Sequence, residues 1–120
     1  MQYLTPFQPP EAFDMLERGF TLSVSPIADD SAVEFLRYYP DGKQLTIAFE
    51  LGSDSTISVK IADHDEVISD ITIEGVISYA FQSWDNQKIM RLRFEAGRSD
   101  LDLRIHYAPL PSAVLSLLRT

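Results

Sequence analysis

The chain has no cysteine among its 120 residues. That absence excludes a disulfide framework, cysteine-ligated zinc and a thiol nucleophile, and it fits a reducing compartment. Histidine is nearly as scarce, with His64 and His106 the only imidazoles available for general acid–base work. The five glycines stand singly, so there is no GxGxxG fingerprint and no P-loop, and no cofactor is expected. No apolar run has the length needed to span a bilayer. The first residues, MQYLTPFQPPEAF, lack the basic and apolar regions of a secretory signal, and a cytoplasmic location is the expectation.

Positive charge is also in short supply. Ten basic residues face 18 acidic ones, a net charge of −8. That balance disfavours a nucleic-acid backbone or an anionic membrane surface as the main partner. The charge is uneven: residues 1–87 carry a balance of −11 and residues 88–120 a balance of +3. A mildly basic C-terminal part is attached to a strongly acidic body.

What the chain does have is alternation. In residues 66–84, EVISDITIEGVISYAFQSW, Val67, Ile71, Ile73, Ile77, Tyr79 and Phe81 recur at a period of two, which belongs to strands with one buried face. Gly75 sits midway and marks either a bulge in one bent strand or a break between two. Upstream, Leu45, Ile47, Phe49 and Leu51 alternate with polar residues, and Ile57, Val59 and Ile61 do the same after a turn. Holding both rows on one face pairs Phe49 with Ile57 and Ile47 with Val59. Phe20, Leu22 and Val24 begin a strand that Pro26 ends, and a loop follows at Ala28–Ser31. AVEFLRYY at 32–39 is apolar on both parities, with composition favouring a strand.

Downstream, Met90, Leu92 and Phe94 form one inward row and Leu101, Leu103, Ile105 and Tyr107 another. This hairpin has two close registers. One sets Arg93 opposite Asp102 and Arg91 opposite Arg104; the other sets Arg93 opposite Arg104. Either way two guanidinium groups face each other, so Arg91, Arg93 and Arg104 should form an outward stripe completed by carboxylates from elsewhere. Pro9 and Pro10, early acids and Gly19 outline a short helix at 11–18, with Phe13, Leu16 and Phe20 as its apolar stripe. SAVLSLLRT reads as a short terminal helix or apolar tail near 111–119. The expected fold is one mainly β domain spanning 1–120. It is an antiparallel meander of eight or so strands, forming a sandwich or partial barrel with a short helix at each end.

Few residues suggest chemistry. Asp63-His64-Asp65-Glu66 is the one local cluster of metal-like ligands, but its spacing matches no EF-hand, and a solvated acidic hairpin turn is the expected reading, with no metal site. His106 should point away from the core, and no nucleophile elbow is present, so no catalytic residue is assigned. Binding is better supported. Exposed aromatics concentrate binding energy, and Trp84, on the outward parity before a turn, is the best such anchor. Clustered carboxylates speed association with cationic partners. The candidate partner-binding residues are therefore Asp63, Asp65, Glu66, Asp70, Trp84, Arg91, Arg93 and Arg104.

A cysteine-free, acidic, β-rich short chain resembles the small immunity proteins that accompany bacterial secreted toxins. The stretch ITIEGVISYAF, an alternating strand running through Gly-Val into an aromatic strand, is similar to the central strands of several such families. The resemblance implies no catalytic residue. It implies a stoichiometric inhibitor that docks on one toxin and blocks its active site or assembly. The expected function is a non-catalytic acidic module for a basic protein, a cognate toxin first. The alternatives are an acidic chaperone or adaptor for a secreted protein, or a ligand-binding or enzymatic β domain with a cavity between sheets.

Overall fold

The computed structural model describes residues 8–23, 32–50, 55–96 and 99–118. Among these, one helix, α1 (Ala12–Glu17), precedes nine strands: β1 (Thr21–Leu22), β2 (Ala32–Tyr38), β3 (Lys43–Glu50), β4 (Thr56–Asp63), β5 (Glu66–Ile73), β6 (Val76–Trp84), β7 (Gln87–Ala96), β8 (Ser99–Ala108) and β9 (Ser112–Leu118). They form two antiparallel sheets, each a meander in sequence order, β1-β2-β3-β4-β5 and β6-β7-β8-β9. The result is two open sheets around one core, which realises the sandwich and not the barrel.

The core is the sum of the inward rows. Leu45, Ile47 and Phe49 of β3 and Ile57, Val59 and Ile61 of β4 face Met90, Leu92 and Phe94 of β7 and Leu103, Ile105 and Tyr107 of β8, all buried. The pairing of Phe49 with Ile57 and of Ile47 with Val59 is the one that the alternation requires. A slip by one residue would turn the whole row to water. Of residues 32–39, Ala32–Tyr38 form a strand, whose Phe35 packs edge-on against Phe49.

Gly75 divides the sheets. It has a φ of +87°, and a Cβ there would lie 2.6 Å from the Glu95 carbonyl oxygen. The Glu95 N–H donates to Gly75 O and the Val76 N–H to Ser55 O, so the chain leaves one sheet and enters the other within two residues. Of the two readings of Gly75, the break between strands is the correct one.

Several expectations are corrected. Residues 112–118 form the edge strand β9, not a helix: Ala113 pairs with Ile105 and Leu115 with Leu103, and these bonds satisfy the open edge of β8. In α1 the buried residue is Met15, with Phe20 just beyond, whereas Phe13 and Leu16 are exposed. Six residues give fewer than two turns, so only one side chain faces the core. Val67 and Ile77 are exposed because the register shifts beside each, at Ile61/Ala62 and at Val76/Ser78. β1 stops at Leu22, which is exposed. The expectations for Val24, Pro26, the 28–31 loop and Leu51 lie outside the described residues.

Candidate functional site

The outward face of the second sheet gathers the aromatic and cationic candidates. β6 and β7 are joined by the two-residue turn Asp85–Asn86, both with positive φ, the geometry that matches strand twist and that Asp and Asn tolerate. The turn sets Trp84 opposite Gln87. Successive outward rows then run across the strands: Gln82, Ile89 and His106; Ala80, Arg91 and Arg104; Ser78, Arg93 and Asp102. Of the two hairpin registers, the structure adopts the one with Arg93 opposite Asp102 and Arg91 opposite Arg104.

Asp102 is the organising charge. Its side chain is fully buried, yet it lies on the outward face, covered by the two arginines. Arg91 Nε donates to Asp102 Oδ1 at 2.8 Å and Arg104 Nε to Oδ2 at 3.2 Å. The hydrogen bond to Asp102, and then its charge, hold the Arg91 guanidinium above its ordinary value. The expectation that the arginine stripe is completed from elsewhere is thus corrected, because its carboxylate comes from the same hairpin. Arg93 is exposed and makes no ion pair among the described residues.

Between Trp84 and the arginines lies an open cavity of about 600 Å³, lined also by Gln82, Gln87, Ile89 and His106. Trp84 is 75% exposed at its rim. His106 Nδ1 lies 3.3 Å from Gln87 Oε1, which fixes the ring across the cavity floor. A smaller depression of about 220 Å³ continues over Ser78, Ala80, Arg91 and Arg93. The surface offers hydrogen-bond donors and one large ring in an otherwise acidic protein. Asp102 and His106 were not among the candidates; the signal for Asp102 was its place two residues before Arg104 on the same parity.

The acidic candidates sit elsewhere. Asp63, Asp65 and Glu66 surround the β4–β5 turn, where His64 and Asp65 have positive φ, and Asp70 stands opposite Lys60 on β5. His64 Nδ1 pairs with Asp63 Oδ1 at 2.7 Å, and the His64 N–H donates to Gly42 O. This ties the turn to the β2–β3 turn and brings Asp41 into the acidic end. Asp41 is held below its ordinary carboxylate value, first by the hydrogen bond from the Lys43 side chain. Asp70 faces outward from the first sheet and the arginines outward from the second, on opposite sides of the sandwich. The candidates form two surfaces and not one.

No protein-family model matches the chain, and no curated protein matches it in sequence. Among solved structures the fold is similar to that of a chain in a contact-dependent growth inhibition toxin–immunity protein complex from Klebsiella pneumoniae 342. The TM-score is 0.73, over 91% of this chain and 95% of that one, at 14% identity. That is a likeness of fold. No helix among the described residues is long and apolar enough to cross a membrane.

Proposed function

We propose that this chain is a non-catalytic, protein-binding module that neutralises a cognate toxin by docking on it. The observation that carries this reading is the fold likeness to a chain of a toxin–immunity protein complex, which extends over nearly the whole of both chains. Of the two roles named there, the immunity role suits this chain's chemistry better. The inward rows of both sheets are apolar, and the buried Asp102 is committed to two arginines on the outside. A ligand-binding or enzymatic β domain would need polar groups aimed into a cavity between the sheets.

The partner is a basic protein, and the acidic end around Asp63, Asp65, Glu66 and Asp70 is the surface that meets it. Carboxylates spread over an exposed hairpin favour cationic partners and repel anionic ones. The test is co-expression with the C-terminal domain of a large secreted protein encoded beside this chain. Restored growth and a stoichiometric complex on size exclusion are expected. Undiminished toxicity with no complex formed would overturn the reading.

A further inference from the structure

Tryptophan is highly buried on average in folded proteins, so an exposed one is informative. Trp84, the single tryptophan of the chain, is 75% exposed at the rim of the open cavity on the second sheet. Ile89, Arg91, Arg104 and His106 line the same cavity. Among the described residues no acidic side chain lines it, in a chain that has 18 of them. Tryptophan and arginine, with acids absent, is the composition of the energetic centre of a protein–protein interface. A small-molecule site is more enclosed and mostly apolar, whereas here Trp84 and Ile89 are the two large apolar side chains around about 600 Å³ of open space.

The charges define what a partner must bring. Asp102 supplies one carboxylate for two guanidinium groups, so the three residues together keep one positive charge. Each arginine gives Asp102 its Nε, which leaves the terminal amino groups of both without an acceptor among the described residues. Pinned in this way on neighbouring strands, the two guanidinium groups are held in place before any partner arrives. A second carboxylate fits them, because the planar guanidinium donors match carboxylate geometry.

The rest of the chain limits where that carboxylate comes from. A net charge of −8 repels nucleic acid and small free anions alike. A second copy would offer its own acidic turn at Asp63, Asp65 and Glu66, but two chains of that charge also repel each other. A protein surface that covers Trp84 adds apolar contact to the ion pair, which no free anion does.

We propose that the Trp84 cavity is a second docking site, which takes an acidic loop of a partner protein. A carboxylate of that loop lies on the amino groups of Arg91 and Arg104, and an apolar neighbour lies on the Trp84 ring. The inference goes beyond toxin docking through the acidic end, and neither reading depends on the other.

With one tryptophan in the chain, its emission reports on this cavity alone. The test titrates the full chain at millimolar concentration with three blocked pentapeptides, which carry glutamate, glutamine or lysine between two leucines. The glutamate peptide is expected to move the emission to shorter wavelength and to bind about tenfold more tightly than the glutamine peptide. The lysine peptide should bind more weakly still. Gln82→Glu places a carboxylate of the chain itself in the cavity lining at an exposed position. It should abolish the preference for glutamate while the urea midpoint stays unchanged. Equal affinity for the three peptides, or binding without a change in emission, would overturn the proposal. The full emission shift from sodium acetate or inorganic phosphate alone would overturn it too, since the site would then serve a free anion. A shift that grows with protein concentration without peptide, together with a dimer on size exclusion, would assign the cavity to a second copy and equally refute it.

Discussion

Arg91 and Arg104 stand directly opposite each other on β7 and β8, and both turn their Nε donors onto the single carboxylate of Asp102. Two like charges on neighbouring strands are unfavourable by themselves. The buried aspartate converts the clash into a three-residue ion network. Asp102→Ala should therefore cost about 1 to 3 kcal/mol in urea denaturation, below the roughly 3 to 5 kcal/mol of a broken fully buried pair because both arginines left behind are partly exposed. Arg104→Ala should cost less, since Arg91 keeps the carboxylate. An Asp102→Ala midpoint equal to that of the parent would show that the network adds nothing.

The same two arginines also separate a structural from a binding role. If the groove beside Trp84 contacts a partner, Arg91→Ala and Arg104→Ala should lose partner binding by more than their loss of stability explains. Binding that stays intact while the urea midpoint falls would confine them to structure.

Alkaline pH should weaken the fold through Tyr39. Its ring is buried, its hydroxyl donates to Tyr107 O at 2.7 Å, and burial pushes its pKa up to about 12, against a smaller opposing effect of Arg37. A raised folded-state value means that the neutral form is favoured in the native protein. The associated stability is fully present below pH 10 and is lost as pH rises towards 12, by about 2 to 3 kcal/mol. Tyr39→Phe gives up the hydrogen bond, about 1 kcal/mol at neutral pH. In return its stability should stay flatter across pH 10–12, which parallel urea curves would detect.

Gly75→Ala should be costly out of proportion to one methyl group. The positive φ disfavours any side chain, and the new Cβ would meet the Glu95 carbonyl, a backbone atom that cannot swing aside. About 2 to 3 kcal/mol is expected, read as a fall of several degrees in Tm. A variant as stable as the parent would mean that the passage between the sheets tolerates another path.

Association with a basic partner should slow as salt rises, mainly in the on-rate, if the acidic end is the docking surface. Changing two or three of Asp63, Asp65, Glu66 and Asp70 to lysine should weaken the complex without unfolding the domain, because all four lie on the β4–β5 hairpin outside the buried core. Stopped-flow association rates indifferent to salt and to these reversals would reduce that surface to a solubility device.

The sequence by itself determined the strands with long alternating rows, their turns and one register. Leu45, Ile47 and Phe49 share one face with Ile57 and Val59, and the pairing of Phe49 with Ile57 was readable because a period of two is written locally. Likewise Trp84 was legible as outward from its parity and the turn that follows. What depends on a distant neighbour was decided by the tertiary structure alone. SAVLSLL is apolar on both parities and suits helix or strand equally; the unpaired edge of β8 made it a strand. Val67 and Ile77 keep the alternating pattern on paper, but register shifts at Ile61/Ala62 and Val76/Ser78 turned them to solvent. The choice between two registers of β7 and β8 appeared only with Asp102 buried between its arginines. Above all, the acidic and the cationic candidates parted to different sheets at Gly75, because the sheet to which a strand is added is settled by hydrogen bonds between segments, and no local pattern records it.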